Sequence, residues 1–213
     1  EGIVSHTLDM FLLSDLRICA ETYAPISHNL LSAGTEIGQI KRVYSMPQAI
    51  AQCRNWIAAH LPGIEVLEVS STSKGAKMCE GYPTSGAIAS SLAAREYGLN
   101  IVAEGIEDNP HNKTRFLVVG HSKPEPSGRD KTSVVFSVPH KAGSLYHALP
   151  VFESEGISLT MIESRPTKQM PWEYIFFVDF QGHEKDERVQ RALQKLGEMV
   201  LFVRVLGSYP EAE

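Results

Sequence analysis

Two adjacent residues near the middle of the chain, Thr114 and Arg115, carry side chains that could act together on one substrate. They lie in the segment "NKTRF", which leads into the apolar run "LVVG". A guanidinium can hold a carboxylate through paired hydrogen bonds, and a neighbouring hydroxyl can serve a leaving oxygen as proton donor. The segment therefore predicts a site for an acidic small molecule. The alternative is a turn followed by a strand whose arginine reaches water.

A second polar segment, "SSTSKG" at 70–75, offers several hydroxyls beside Lys74. Hydroxyls and free backbone N–H groups at the start of a helix suit an anionic ligand. The alternative is an ordinary helix N-cap, because serine and threonine are preferred capping residues. The role of His28, in "APISHNLL", has two interpretations as well. It is either part of a site or a packed, hydrogen-bonded histidine.

The composition argues against several classes of function. A formal net charge of −5 without a basic stripe disfavours nucleic acid as a partner. No apolar run approaches the ~20 residues of a membrane-spanning helix, so we expect no membrane partner. The eight histidines lack metal-binding spacing, and nucleotide-binding and nucleophile-elbow motifs are absent, so we predict no metal site. Three cysteines at irregular spacing fit a reducing compartment, and we expect a cytoplasmic protein.

Strands and helices alternate in the sequence before residue 121. The segments typical of strands are "IEVLEV", "LNIVAEGI" and "RFLVVG". One helix is predicted over "MPQAIAQCRNWIAAHLPG", and "SGAIASSLAAREYG" is typical of a short strand that feeds a helix. This order predicts a parallel α/β layer, whose ligands gather at the carboxyl ends of strands and at helix N-termini. Residues 112–115 would then lie at a cleft where the chain crosses between strands.

The second half of the chain follows a different pattern. "HSKPEPSGRD" at 121–130 marks a domain boundary, because its prolines, glycine and charges separate two apolar strands. The segments beyond it predict strand, helix, two strands joined by a loop with Pro171, helix and strand. This βαββαβ order is that of a ferredoxin-like domain. Pro150 should kink or end the first of the two helices.

In this order, the segments resemble those of a prephenate dehydratase with a C-terminal ACT regulatory domain. Several blocks in the family's order at fitting separations are far more specific than any one of them. Met46 departs from the family, which usually has histidine there, and Ser144 stands where the ACT motif usually has alanine. The matching blocks are "EGIVSHTLDM", "APISHNLL", "VYSMPQAIAQC", "SSTSKGA", "GAIASSLAAREYGL", "NKTRF", "GSLYHAL", "IESRP" and "LGSYP".

The resemblance implies an enzyme without a cofactor that converts prephenate to phenylpyruvate, a step in phenylalanine biosynthesis. It implies an α/β catalytic part over 1–122, like a type 2 periplasmic binding protein, and an α+β ACT domain over 130–213. Thr114 and Arg115 would be catalytic. The substrate-binding residues would be Ser45, Gln52, Ser71, Thr72 and Phe116.

The resemblance also implies regulation by L-phenylalanine, bound to the ACT domain at the interface of a homodimer or homotetramer. The edge strands of a lone βαββαβ unit favour pairing with a second copy. The effector-binding residues would be Gly143, Ser144, Leu145, Glu163, Ser164, Arg165 and Pro166.

Two other functions remain open, an arogenate dehydratase and a non-enzymatic sensor of amino acids. The "NKTRF" segment and the lack of a basic segment favour an enzyme over a sensor. Glu1 matches a position well inside the family's catalytic domain. We therefore expect most of the first lobe to be absent from this chain, which would leave it catalytically incompetent without that lobe.

Overall fold

The computed structural model describes residues 10–166 and 174–212, which form two compact units. The central unit is Ala24–Thr114. The terminal unit combines the described residues up to Tyr23, including most of strand β1 (Arg17–Pro25), with those from Arg115 onward. The domains predicted from the sequence, 1–122 and 130–213, are defined by motif blocks. The two units are defined by the packing of the chain, and they divide it at other residues.

A five-stranded sheet forms the core of the central unit. Its strands are β2 (Asn29–Ser32), β3 (Arg42–Ser45), β4 (Glu65–Glu68), β5 (Ser85–Ala89) and β6 (Asn100–Ala103), in the order β4-β3-β5-β2-β6. β3 is parallel to β4 and β5, but β2 is antiparallel to β5 and β6. The prediction of a parallel layer is therefore wrong for β2. Every residue of β2 and β5 is buried, so their apolar pattern carries no information on strand direction.

Four short helices cover the two faces of this sheet. They are α1 (Pro47–Gln52), α2 (Arg54–His60), α3 (Thr72–Lys77) and α4 (Ser91–Glu96). The prediction of one helix across the first two is wrong, because α1 ends at Gln52, Cys53 interrupts the helix, and α2 starts at Arg54. The Asp108 carboxylate accepts the N–H groups of Asn55 and Trp56 at 3.0 and 3.2 Å. A residue from a distant part of the chain thus caps the second helix.

The terminal unit has the predicted βαββαβ order. After β7 (Lys113–Gly120) come β8 (Asp130–Ser137), α5 (Ser144–Ala148), α6 (Pro150–Ser154), β9 (Leu159–Pro166), β10 (Tyr174–Gln181), α7 (Glu187–Met199) and β11 (Phe202–Pro210). The last four strands form an antiparallel sheet in the order β11-β8-β10-β9, which confirms the ferredoxin-like fold. The predicted helix break at Pro150 is confirmed as well. Pro171 and its loop lie outside the described residues.

Both faces of the sheet of the terminal unit are covered. On one face, Phe136 and Leu196 belong to a core between the sheet and its helices. On the other, Val135 and Phe177 pack with Ile18 of β1, and β1 pairs with β7. From Arg115 onward, β7 is therefore part of the same packed unit as the ferredoxin-like domain. No helix in the two described ranges is long and apolar enough to cross a bilayer.

Candidate functional site

Polar side chains collect at one edge of the central sheet. The parallel strands β3, β4 and β5 end there, and β2 begins there, because Asn29 pairs with Ala89 at the end of β5. Ligands of α/β sheets bind beyond the carboxyl ends of parallel strands, so this edge is the candidate substrate site of the central unit. Sequence reasoning missed Asn29 and Ser90, although Ser90 shows the serine-before-helix pattern that singled out Ser71. The predicted residues at or next to this edge are Ser45, Gln52, Ser71 and Thr72.

Ser45 is fully buried at the end of β3. Its hydroxyl donates a hydrogen bond to the carbonyl of Ile88 at 2.7 Å, and its own carbonyl accepts the N–H of Val69 at 2.9 Å. Since the hydroxyl hydrogen is already used, this side chain can offer a ligand only an acceptor lone pair. The two hydrogen bonds of Ser45 join β3 to β5 and to the segment that follows β4.

Gln52, which is half-buried, and the buried His28 form a polar pair beside this edge. The Gln52 Oε1 atom lies 2.7 Å from His28 Nε2. The backbone N–H of His28 donates to the Glu107 carboxylate at 2.7 Å, and its carbonyl accepts the N–H of Ile106 at 2.8 Å. His28 is thus a packed, hydrogen-bonded histidine, and it orients the side chain of Gln52.

Ser71 is the N-cap of α3. Its hydroxyl oxygen accepts the N–H of Lys74 at 3.1 Å, as in an ordinary helix cap. Gly75 in the same helix lies against β3, because a Cβ atom there would be 2.9 Å from the carbonyl oxygen of Tyr44. Ser71 and Thr72 are therefore held at the edge of the sheet, but the Ser71 hydroxyl already serves the helix.

Thr114 and Phe116 lie on the exposed side of β7. Because β7 begins at Lys113, Thr114 and Arg115 belong to the strand itself, and the prediction that they lie between strands is wrong. Side chains alternate along a strand, so Arg115 points to the side opposite Thr114. Leu117, on the Arg115 side, packs against the core of the terminal unit. The Thr114 side chain is exposed, and Phe116 is 52% exposed.

All three nitrogens of the Arg115 guanidinium have protein partners. Its Nε atom donates to Glu21 Oε2 at 2.6 Å, one terminal nitrogen to Asp179 Oδ2 at 2.5 Å, and the other to the Tyr209 hydroxyl at 2.8 Å. The second oxygen of Glu21 accepts a hydrogen bond from Lys131 at 2.9 Å. We call these five residues the arginine clamp. Sequence reasoning missed Glu21, Lys131, Asp179 and Tyr209, because a sequence pattern does not show which residues of different strands pack together.

Burial and charge act against each other in the arginine clamp. Burial opposes ionisation of Glu21, but the hydrogen bonds and charges of Lys131 and Arg115 outweigh it and lower its pKa. Burial also disfavours the charged form of Arg115, yet the charge of Asp179 and its other partners raise its pKa. Burial raises the pKa of Tyr209, so the phenol stays neutral. The clamp therefore holds two cations, two carboxylates and one neutral hydroxyl.

A cavity of about 340 Å³ lies at the start of α5 in the terminal unit. Gly143 precedes the helix with φ of 83°, in the left-handed region that favours glycine. Sequence reasoning missed Tyr174 as a lining residue, although it belongs to the alternating pattern of β10. Lining residues include the predicted Gly143, Ser144 and Leu145, together with Lys141, Tyr146 and Tyr174.

The other predicted effector residues, Glu163–Pro166, lie at the end of the edge strand β9. Ser164 pairs with Phe176 and Pro166 with Tyr174, and these two partners on β10 both line the cavity. The segment itself does not line the cavity within the described residues. The structure thus places one predicted part of the effector site at the start of α5 and the other on β9, next to the strand that lines the cavity. Among the described residues of one chain, the two parts do not share a pocket.

Comparison with known proteins defines the class to which this fold and these residues belong. The family model for prephenate dehydratase matches residues 1–124, and that for the ACT domain matches residues 132–198. The chain belongs to the prephenate dehydratase family and carries an ACT domain. The fold class predicted from the sequence is thereby confirmed.

Individual relatives agree with this assignment. A bifunctional chorismate mutase/prephenate dehydratase of Aquifex aeolicus is 49% identical over 212 residues, which are 100% of this chain and 59% of that protein. The chain thus spans less than two thirds of that relative. A prephenate dehydratase of Methanocaldococcus jannaschii is 42% identical, covering 99% of this chain and 77% of that protein. The structure of a prephenate dehydratase from Arthrobacter aurescens in complex with L-Phe has a TM-score of 0.87 and 40% identity, covering 99% of this chain and 72% of that one.

Proposed function

We propose that this chain carries catalytic and regulatory parts of a cytoplasmic prephenate dehydratase that is feedback-regulated by L-phenylalanine through its ACT domain. The observation that carries the proposal is the exposed residue Thr114, with its hydroxyl side chain, on β7 of a chain of the prephenate dehydratase family. The reaction converts the prephenate dianion and one proton into phenylpyruvate, carbon dioxide and water. The carbon–carbon bond to the ring carboxylate and the carbon–oxygen bond to the ring hydroxyl break, and the ring becomes aromatic.

The ring hydroxyl limits this reaction because hydroxide is a poor leaving group. It needs a donor whose hydrogen bond strengthens as negative charge develops on the leaving oxygen. A threonine hydroxyl of ordinary acidity is suited to that donation, although it is too weak an acid to transfer its proton outright. Thr114 supplies this donor in the proposed mechanism.

The dianionic substrate also needs cations or backbone dipoles. The sequence-derived ligands are Ser71 and Thr72 at the start of α3, Ser45 and Gln52 as lining residues, and Arg115. These roles remain predictions. Ser71 and Thr72 lie beyond the end of β4, where N–H groups of a first helical turn lack partners within the helix.

Turnover by the full-length protein tests the proposed activity. Phenylpyruvate should form from prephenate without added metal or cofactor. Arogenate, the alternative substrate, would give phenylalanine in place of phenylpyruvate, so the product identifies the preferred reaction. A folded protein that converts neither substrate would contradict the proposal and favour a sensor.

We further propose that L-phenylalanine binds at the cavity beside α5 and that a second copy of the chain completes the site. β9 is an outer strand of its sheet, so it can meet a partner chain in a homodimer or homotetramer. Backbone N–H groups near Gly143 suit the carboxylate of the amino acid. Acceptors near the end of β9 suit its ammonium group.

Removing an aromatic ring from the cavity should weaken this binding. Tyr146 lines the cavity and is 73% exposed, so Tyr146→Ala is expected to leave the fold intact. The dissociation constant for L-phenylalanine should rise roughly three- to tenfold, as for the loss of one aromatic contact. Titration calorimetry on the folded oligomer measures it. Tyr82→Ala, which removes a 65% exposed ring from the central unit, is the matched control. Equal affinities in the two variants would exclude this cavity.

A further inference from the structure

We propose that Arg115 is a positioning residue, which holds Thr114 in place through the arginine clamp and does not bind substrate. The proposal rests on the function proposed above for Thr114. It differs from the sequence-derived role of Arg115, which placed the guanidinium on a substrate carboxylate. Three properties of the clamp support it: its burial, its charge balance and the direction of its side chains.

The guanidinium of Arg115 is hydrogen-bonded to carboxylates that are almost completely shielded from water. The side chains of Glu21 and Asp179 are 0% and 3% exposed, and each lies within 2.6 Å of an Arg115 nitrogen. Turning Arg115 toward a substrate would leave both buried carboxylates without this cation. Removing one partner of a buried ion pair is strongly destabilising, because the remaining charge stays out of water.

The charges of the clamp leave no surplus for a dianion. Arg115 and Lys131 carry two positive charges, and Glu21 and Asp179 carry two negative ones. Lys131 is only 8% exposed and directs its ammonium to Glu21 and to the hydroxyl of Tyr23, at 2.9 and 3.3 Å. A further carboxylate oxygen, Glu211 Oε1, lies 3.6 Å from the same ammonium. A substrate carboxylate at the arginine clamp would therefore find no net positive charge, and it would lie close to two carboxylates.

The direction of the side chains separates Arg115 from the proposed chemistry. Thr114 and Arg115 are neighbours on a strand, so they point to opposite sides of β7. The side occupied by Arg115 packs on the ferredoxin-like sheet, whereas Thr114 is exposed. One small substrate cannot contact both side chains unless the strand turns over and the clamp opens.

The arginine clamp connects β7 to several other strands, and it can therefore fix the backbone of β7. It joins Arg115 to β1 through Glu21, to β10 through Asp179 and to β11 through Tyr209, whose hydroxyl also lies 2.6 Å from Ser133 on β8. Thr114 is one planar peptide bond away from this anchor. A displacement of about 1 Å at a reacting group can cost a factor of ~10² in rate, so the anchor matters for turnover.

Loosening the clamp in the full-length protein should lower kcat and leave KM for prephenate nearly unchanged. Asp179→Asn removes one ion pair and is expected to lower kcat by roughly 10- to 100-fold. Tyr209→Phe removes the hydroxyl and its two hydrogen bonds, to Arg115 and Ser133, and should lower kcat by about three- to tenfold. Tyr209→Phe keeps the ring that fills the core, so it tests the proposal even where Asp179→Asn does not fold. Lys185→Ala, which breaks the exposed pair with Glu125, is the control and should keep the wild-type kcat.

Amide hydrogen exchange supplies a readout that does not depend on activity. Protection of residues 113–117 should fall in Tyr209→Phe and stay at the wild-type level in Lys185→Ala. A rise in KM without a loss of kcat would assign Arg115 to substrate binding and overturn the proposal, as would unchanged kcat and unchanged protection in Tyr209→Phe. A wild-type protein without prephenate turnover would instead refute the proposed function, and the exchange data would still decide whether the clamp holds β7.

Discussion

Replacing Thr114 by alanine is expected to lower the kcat of the intact enzyme by ~10²-fold or more, the usual cost of one preorganised donor. Thr114 is an exposed residue of β7, and its replacement by alanine removes only two small groups from the side chain. The leaving hydroxide would then have to be stabilised without the hydrogen bond that strengthens in the transition state. Steady-state turnover of prephenate measures the effect, and KM should change much less than kcat because the interaction forms chiefly in the transition state.

Two substitutions control for this result. Thr114→Ser keeps the hydroxyl and should retain most of the turnover. Thr22→Ala removes another exposed threonine, from the neighbouring strand β1, and should have little effect. Near-normal turnover of a folded Thr114→Ala protein would remove this residue from the mechanism.

Replacing Gly207 by alanine should destabilise the terminal unit by about 3 kcal/mol or more, at or above the upper end of ordinary overpacking. A Cβ atom at this position would lie 2.1 Å from the carbonyl oxygen of Ile18 and 2.9 Å from its backbone nitrogen. These neighbours are backbone atoms of β1, so no change of side-chain rotamer relieves the clash. The strand would have to move away from β11, where Ile18 and Leu206 share a core.

Chemical denaturation monitored by circular dichroism measures this loss. Gly197→Ala is the matched control, because an added Cβ there would meet only the Val203 side chain at 3.7 Å, an ordinary contact. Gly197 lies inside α7, so its replacement should stabilise the unit by up to ~1 kcal/mol. If Gly207→Ala unfolds at the same denaturant concentration as the wild type, the close approach of β1 to β11 is not required for stability.

Residues close together in the chain determined much of the fold. The βαββαβ order follows from apolar periodicity, which the residues of each segment carry themselves. Pro150 broke a helix where expected, because its missing N–H and its ring act on the preceding turn. Ser71 capped a helix as its position indicated, through an N–H three residues away. The ordered motif blocks also determined the family.

Tertiary structure alone decided the features that depend on distant residues. The α1–α2 break depends on Asp108, about 50 residues beyond it, and β2 is buried throughout, so its pattern carried no direction. The environment of Arg115 depends on Glu21 and Asp179, which are 94 and 64 residues away.

Once the strand is known to begin at Lys113, the alternation of side chains gives the side of β7 that each residue faces. The sequence pattern does not show which residues of other strands pack against each side. Periodicity, capping and turn formation act within a few residues, whereas the partner of a buried charge is chosen by the packing of whole strands. For that reason the sequence by itself determined the family and the local elements, and the tertiary structure decided that Arg115 faces two carboxylates of its own chain.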